Sequence, residues 1–377
     1  MTDQTFLNNL KPFIQANWEK AEFQQATAVQ LKTIPPILEG KDVIAESPTG
    51  TGKTVAYLLP LLNQIDETKK NNQLVILAPS RELVMQIFDE LKKWSEGSSL
   101  TTVSLIGGAN IKRQVEKLKK GPQIIVGTPG RIMELIKLKK LKMHEVKSIV
   151  LDEGDQLLTP EHKNTIHDII KATKKERQVV LFSATVNVGT ESKARDLMGK
   201  NPEIIKVDRN EVPTGDVKHV YLVCEQREKV TLLERMAKTI KMKALGFVKD
   251  IGNLTVIAEK LEYKGVEIHL LHSDTRKEER EAALKKMRTE NDGLLLATDV
   301  AARGLDIEGL THVIHFDLPT HSSQYVHRSG RTGRQGASGT VVAIVTEREE
   351  RELKKIAKEL NIQLQKNRLY KGELVEA

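Results

Sequence analysis

Val43-Ile44-Ala45-Glu46-Ser47-Pro48-Thr49-Gly50-Thr51-Gly52-Lys53-Thr54 is the stretch that decides how this chain folds. Val43–Ala45 reads as a short buried strand, residues 47–54 as a glycine-containing loop, and the apolar AYLLPLLNQI that follows as a helix. Strand, Gly-rich loop and helix in that order form the context of a phosphate-binding loop. Backbone N–H groups of such a loop and of the helix N-terminus surround phosphate oxygens. Ser47, Pro48, Thr49, Gly50, Thr51 and Gly52 are therefore candidate nucleotide contacts. Lys53 would reach the β- and γ-phosphates, and the Thr54 hydroxyl would ligate Mg²⁺. Ser47 stands where the strict pattern has Gly.

Working outward, a second apolar run, Ser148-Ile149-Val150-Leu151, leads directly into Asp152-Glu153. A carboxylate at the end of a buried strand is costly unless something binds it. Beside a phosphate loop, that something is Mg²⁺ at Asp152, and Glu153 can orient or deprotonate an attacking water.

Further short Val/Ile/Leu runs recur along the chain. In the first half they are Leu74–Leu77, Val103–Ile106, Ile124–Val126 and Val179–Phe182. In the second half they are His219–Val223, Ala244–Val248, Glu267–Leu270, Gly293–Ala297, His312–His315 and Thr340–Val345. Continuous apolar runs of this kind read as parallel strands buried on both faces. Their alternation with amphipathic stretches reads as βαβ units.

The fold class is thus α/β, with two domains that share one rhythm. We expect a first domain over 1–207, a polar Pro/Gly-containing linker over 208–216, a second domain over 217–365 and a short tail over 366–377. Glu347–Leu360 carries Leu353, Ile356, Ala357 and Leu360 on one face and reads as a docked helix.

Bulk composition narrows the classes. The chain has 377 residues, enough for two cores, and 59 Lys plus Arg against 51 Asp plus Glu, a net charge of +8. That excess suits a polyanionic partner. Aromatics at 4% argue against a large base-stacking platform of the RRM type. The single cysteine, Cys224, excludes an internal disulfide framework and a cysteine-based zinc site. No secretory signal pattern opens the chain, and no run approaches the roughly 18 apolar residues of a membrane span. The expectation is a cytoplasmic, non-membrane protein.

Taken together, these residues resemble the DEAD-box RNA helicases over nearly the whole chain, and most closely their short bacterial members with a bare two-domain core. The matching segments stand in the family's order. They are Phe23 with Thr27 to Gln30, the phosphate loop, Pro79-Ser80-Arg81-Glu82-Leu83, Gly107-Gly108, Thr128-Pro129-Gly130-Arg131, Asp152 to Asp155, Ser183-Ala184-Thr185, Ala297-Thr298-Asp299 to Asp306, and residues 327–334, HRSGRTGR.

The resemblance implies two RecA-like domains, each a mostly parallel sheet flanked by helices, and an RNA-dependent ATPase using ATP and Mg²⁺. It implies that Gln30 reads the adenine edge, with Phe23 and the upstream Phe6 packing on the base. Ser183 and Thr185 would bond the acidic motif and couple hydrolysis to RNA release. Arg331 and Arg334, three apart and expected on one helix face, would meet the γ-phosphate as arginine fingers. Asp306 would bond the ribose, and Gly304 would let backbone approach the phosphate. RNA would contact Pro79, Arg81, Gly108, Thr128, Gly130 and Arg131 in the first half, and Arg280 and Thr298 in the second. Contacts of that kind go to phosphates and 2′-OH groups and carry little sequence preference.

The implied function is local unwinding of short duplexes and remodelling of RNPs by a monomer, in ribosome biogenesis (on precursor particles) or in cold adaptation. An ATP-gated RNA clamp with weak turnover is the alternative. A DNA-directed enzyme and a metabolic P-loop kinase are further rivals, and the arginine-rich second half disfavours the kinase.

The chain departs from the family at two places that bear on mechanism. Gly154 replaces Ala in the acidic tetrad, from which we expect retained metal binding and a looser turn. Ala26 replaces the Pro before Thr27. The lysines at 137, 139, 140 and 142 read either as an extension of the RNA surface or as a solvated helix face.

Overall fold

The computed structural model describes residues 5–377 except 22, 24, 200, 209–210, 212–214, 303–306 and 334–335. The chain divides into two compact units, Met1–Val212 and Pro213–Ala377. The expected linker, 208–216, falls mostly on residues outside those described.

The described residues of the first unit build a seven-stranded sheet. Its strands are β1 (Val43–Glu46), β2 (Leu74–Leu77), β3 (Thr102–Leu105), β4 (Ile124–Gly127), β5 (Ser148–Asp152), β6 (Gln178–Ser183) and β7 (Glu203–Lys206). The order is β3-β4-β2-β5-β6-β1-β7, with every neighbour parallel. Side chains alternate across the pleat, so both faces need cover. Val43, Ala45, Ile76, Val126, Val150 and Phe182 pack into one cluster with the helices Ala28–Leu38, Lys53–Gln64 and Arg81–Trp94. Ile44, Val75, Leu77, Ile125, Leu151 and Leu181 pack into another with the helices Pro129–Lys137 and Pro160–Lys171.

The second unit repeats the plan. Its strands are β8 (Val217–Val223), β9 (Lys243–Phe247), β10 (Ile268–Leu271), β11 (Gly293–Ala297), β12 (His312–His315), β13 (Gly339–Val345), β14 (Leu364–Tyr370) and β15 (Glu373–Glu376). The order is β10-β11-β9-β12-β13-β8-β14-β15, and only the β14–β15 pair is antiparallel. The expected helix near the end is present as Glu347–Glu359, closed at its start by a Thr346–Glu349 capping box, with Leu353 and Ala357 buried. The fold is thus the expected α/β arrangement of two mostly parallel, helix-flanked sheets.

Three strands lie where none is expected. β7 sits at a sheet edge, and only Ile205 of its four residues is buried. Residues 366–377, expected as a tail, instead complete β14, which pairs with β8 over Leu364–Lys366, and return as β15 along Asn367–Tyr370. The sequence LQKNRLY lacks an apolar run, because an edge hairpin buries only one face. No helix among the described residues is long and apolar enough to cross a membrane.

Candidate functional site

Ligands of open parallel sheets bind beyond the carboxyl ends of the strands. The first unit divides that edge in two. The nucleotide candidates follow β1, β5 and β6, and the RNA candidates follow β2, β3 and β4.

The loop after β1 is held by its own polar groups. The Ser47 amide donates to the Ser183 carbonyl at 3.0 Å. The Ser47 and Thr51 hydroxyls are 2.7 Å apart, and Thr51 also donates to the Pro48 carbonyl. Ser47 is fully buried. At this position a hydroxyl therefore braces the loop where glycine would only permit the turn. Gly50 and Gly52 take left-handed φ values of 78° and 87°, which side-chain-bearing residues rarely adopt. Lys53, the first residue of its helix, folds back and donates from Nζ to the Ser47 carbonyl at 2.7 Å and to the Pro48 carbonyl at 3.1 Å.

Asp152 ends β5 and is buried. Tyr57 Oη donates to its Oδ2 at 2.8 Å, and the Glu153 amide donates to its Oδ1 at 2.9 Å. Burial, and then the neighbouring Glu153 carboxylate, push the Asp152 carboxyl up to about 6, against the pull of Lys53 and the Tyr57 hydroxyl. Tyr57 lies on the same helix as Lys53, one turn along. A tyrosine in AYLLPLL reads as core, so nothing local in the sequence singles it out. Glu153 has φ 53° and ψ 54°, a left-handed conformation uncommon for a residue with a side chain.

Asp155, in the one-turn helix Gly154–Leu157, is clamped by both hydroxyls at the end of β6. Ser183 Oγ donates to Oδ1 at 2.8 Å and Thr185 Oγ1 to Oδ2 at 3.1 Å. This is the contact between the two motifs that the resemblance implied.

Gln30 is buried at the third position of the helix Ala28–Leu38. Its Oε1 accepts from the Thr27 amide at 2.9 Å and its Nε2 donates to the Gly52 carbonyl at 3.4 Å. The side chain proposed to read adenine therefore touches the phosphate loop as well. Phe23 is 40% exposed, with its ring 5.0 Å from Trp18 and 6.0 Å from Trp94. Phe6 is buried edge-on to Trp18, a core position.

Along the β2–β3–β4 side, Ser80 caps the helix Arg81–Trp94 by accepting from the Leu83 amide. This sets exposed Arg81 just beyond half-buried Pro79. A Cβ on Gly108 (φ 76°) would lie 2.6 Å from Arg81 Nη1, so the guanidinium rests on glycine backbone. Thr128 precedes the helix Pro129–Lys137, and Gly130 faces open space. Arg131 turns inward: its Nη1 donates to the Ala109 carbonyl at 3.2 Å and to Gln114 Oε1 at 3.0 Å. In this structure it ties the Gly107–Ala109 loop to its own helix.

In the second unit, Thr298 is buried and its carbonyl accepts from Ala302, starting the helix Asp299–Ala302. Arg280 Nη2 donates to the Ala301 carbonyl of that helix at 3.1 Å. Arg328, which is not among the expected site residues, is buried and grips Asp299 through two bonds of 2.7 and 2.6 Å, with a third to the Asp317 carbonyl. Arg331 does not lie on a helix, contrary to expectation. The helix Ser322–Ser329 ends at Gly330, and Gly333 has a left-handed φ of 69°. Arg331 is largely buried, its Nε donating to the His327 carbonyl at 3.3 Å. Gly304, Asp306 and Arg334 lie outside the described residues.

The donor set also bears on a metal. Among the described residues no three His, Cys, Asp or Glu side chains form a protein-only metal site. A single buried carboxylate beside a phosphate loop suits Mg²⁺, which is bound through one or two carboxylates, waters and substrate phosphates.

The chain is similar to known proteins over nearly its whole length. Residues 27–193 match the family model described as DEAD/DEAH box helicase, and residues 228–336 match the helicase conserved C-terminal domain. The chain is 56% identical over 369 residues to the probable ATP-dependent RNA helicase YfmL of Bacillus subtilis, covering 98% of each chain. It is 51% identical to the DEAD-box ATP-dependent RNA helicase CshC of Bacillus cereus, covering 98% of this chain and 95% of that one. Among solved structures it resembles S. cerevisiae Dbp5 bound to RNA and ADP BeF3, with a TM-score of 0.87 and 27% identity over 97% of this chain and 95% of that one.

Proposed function

The chain belongs to the DEAD-box ATP-dependent RNA helicases, and we propose that it unwinds short RNA duplexes and remodels RNPs by ATP-driven closure of its two RecA-like units. The observation that carries this reading is the clamp on Asp155. It joins the one-turn helix that follows the acidic pair to the hydroxyls at the end of β6, so a change at the nucleotide can reach both strands.

In this proposal the nucleotide displaces Lys53 from the Ser47 and Pro48 carbonyls, and its ammonium turns to the phosphates. Thr54 and Asp152 would hold Mg²⁺, which would neutralise phosphate charge. Metal binding favours ionised Asp152, offsetting the burial that raises its pKa. Glu153 positions the attacking water. Gln30 and Phe23 take the adenine, and Asp306 and Gly304 the ribose and phosphate edge. Arg331 and Arg334 supply transition-state charge from the second unit. RNA lies on Pro79, Arg81, Gly108, Thr128 and Gly130, with Arg131 fixing that rim from behind, and on Arg280 and Thr298. We place the protein in the cytoplasm as a monomer, acting on ribosome precursors or in adaptation to low temperature. The intact clamp on Asp155 weighs for a working motor over an uncoupled clamp.

Phosphate release measured with and without single-stranded RNA tests this. The expected result is a several-fold or greater stimulation by RNA, absent in Lys53→Ala, which should no longer bind nucleotide. A protein that binds both ligands without stimulated release would overturn the motor reading. Equal stimulation by matched DNA would favour the DNA-directed rival.

A further inference from the structure

The lysines after the Thr128–Arg131 segment are not an extension of the RNA rim. The helix Pro129–Lys137 carries the chain away from the rim by about 13 Å, nine residues at roughly 1.5 Å each. Leu138 caps it, and Lys139 takes a left-handed φ of 55°, so the run Lys139–Lys142 is a turn and not a helix face. That turn lies at the amino ends of the strands, opposite the first unit's own nucleotide and RNA candidates.

Two other loops meet it there. β4, β2 and β5 are consecutive in the sheet, and each is entered from a lysine-bearing loop. Lys119 and Lys120 precede β4, Lys69 and Lys70 precede β2, and Lys140 and Lys142 precede β5; all six are exposed. Close backbone approach and amide side chains fasten the loops together. A Cβ on Gly121 would lie 2.5 Å from the Lys70 carbonyl oxygen. Asn72 Nδ2 donates to the Lys142 carbonyl at 3.2 Å, Gln123 Nε2 to the Lys69 carbonyl at 3.1 Å, and the Lys147 amide to the Gln73 carbonyl at 2.8 Å. The loops that carry these lysines are thus held side by side on one surface, over two strand spacings of about 10 Å in backbone alone.

Acidic compensation is thin. Lys69 pairs with Asp66 and Lys119 with Glu116, each within its own turn and exposed, where such pairs contribute little. Among the described residues no carboxylate pairs with Lys70, Lys120, Lys140 or Lys142. Glu67, three residues before Lys70, pairs with Lys11, and Glu145, three residues after Lys142, is exposed beyond the turn.

We propose that this surface is a second RNA-binding site, which holds the phosphate backbone of a double-stranded segment flanking the strand that occupies the rim. Lysine point charges without interleaved aromatics suit phosphates and not unstacked bases. Two sites at opposite ends of one sheet would bind one structured RNA together, raising the effective concentration of the segment to be unwound. This second site rests on RNA occupying the rim, as proposed for the function.

The test uses the full chain and two ligands: a short single strand, and a hairpin duplex carrying the same strand as a tail. K70Q/K120Q/K140Q/K142Q should leave ATPase stimulation by the short strand unchanged, which also reports correct folding. Its affinity for the tailed hairpin should fall at least about tenfold near 0.1 M salt, and the slope of log affinity against log salt should fall by about 3. An unchanged affinity and slope would overturn the proposal. Loss of short-strand stimulation in the wild-type chain would instead indict the rim. Should the variant misfold, lysine-reactive labelling of the wild-type chain decides. Protection of Lys120 and Lys142 by the tailed hairpin but not by the short strand supports the site. Protection by polyglutamate alone, or by neither RNA, overturns it.

Discussion

Asp152 is buried between a tyrosine hydroxyl and the next amide, with Glu153 beside it. Its ordinary value of 3.8 is raised to about 6 in the folded chain. Between those values the folded state binds a proton that the unfolded state has lost. Stability therefore falls as pH rises through this window, and the whole penalty is present above it. A rise of that size corresponds to at most about 3 kcal/mol. In chelator and without nucleotide, Asp152→Asn should be more stable than the wild type at about pH 7.5, by up to that amount, and the advantage should vanish near about pH 4. Urea unfolding at several pH values measures it, and a constant difference between the two proteins would refute it. Such a penalty in the ligand-free protein is what a site prepared for a cation carries. Tyr57 shapes the same carboxylate. Nothing in its local sequence distinguished it from core, because its partner lies 95 residues away.

At the scale of elements, Gly154 changes meaning. It starts a one-turn helix laid directly on β6. A Cβ there would meet Leu181 Cγ at 2.5 Å and both its δ carbons at 2.7 Å. Leu181 is fully buried, so the missing methyl is room that leucine fills and not slack in the turn. Gly154→Ala should destabilise the chain by about 1–3 kcal/mol through overpacking, despite a gain of about 1 kcal/mol in helix propensity. Leu181→Ala should be less harmful in the Gly154→Ala background than alone, with a coupling of about 1 kcal/mol or more in a double-mutant cycle. Additive unfolding energies would mean the two do not compete for space. The hairpin of β14 and β15 makes a related point. Its pairing with β8 outweighs a polar sequence that reads as a tail.

For the whole molecule, the proposed chemistry needs groups from both units. Lys53, Asp152 and Glu153 belong to the first, and Arg331 to the second. Arg331→Ala and Glu153→Gln should therefore fail differently. The arginine variant should still bind ATP but lose RNA-stimulated hydrolysis by roughly 10³-fold or more. The glutamate variant should bind ATP and RNA together and release RNA slowly. Single-turnover hydrolysis with RNA dissociation measured in parallel separates them. Glu153→Gln turning over at the wild-type rate would remove that residue from its role.

The strand–loop–helix at Val43–Gln64, the acidic pair ending an apolar strand and the doubled α/β rhythm were legible because each is local: the order of residues along a few turns carries the chemistry. RNA as the class of substrate came from many such segments standing in a family's order. Only the tertiary structure decided which distant segments meet. It put Tyr57 on Asp152, Leu181 under Gly154, Arg328 on Asp299, Arg131 behind its own rim, and three separate lysine pairs on one surface. These pairings depend on strand order within each sheet and on which backbone groups still need partners, and neither is written in any single stretch of the sequence.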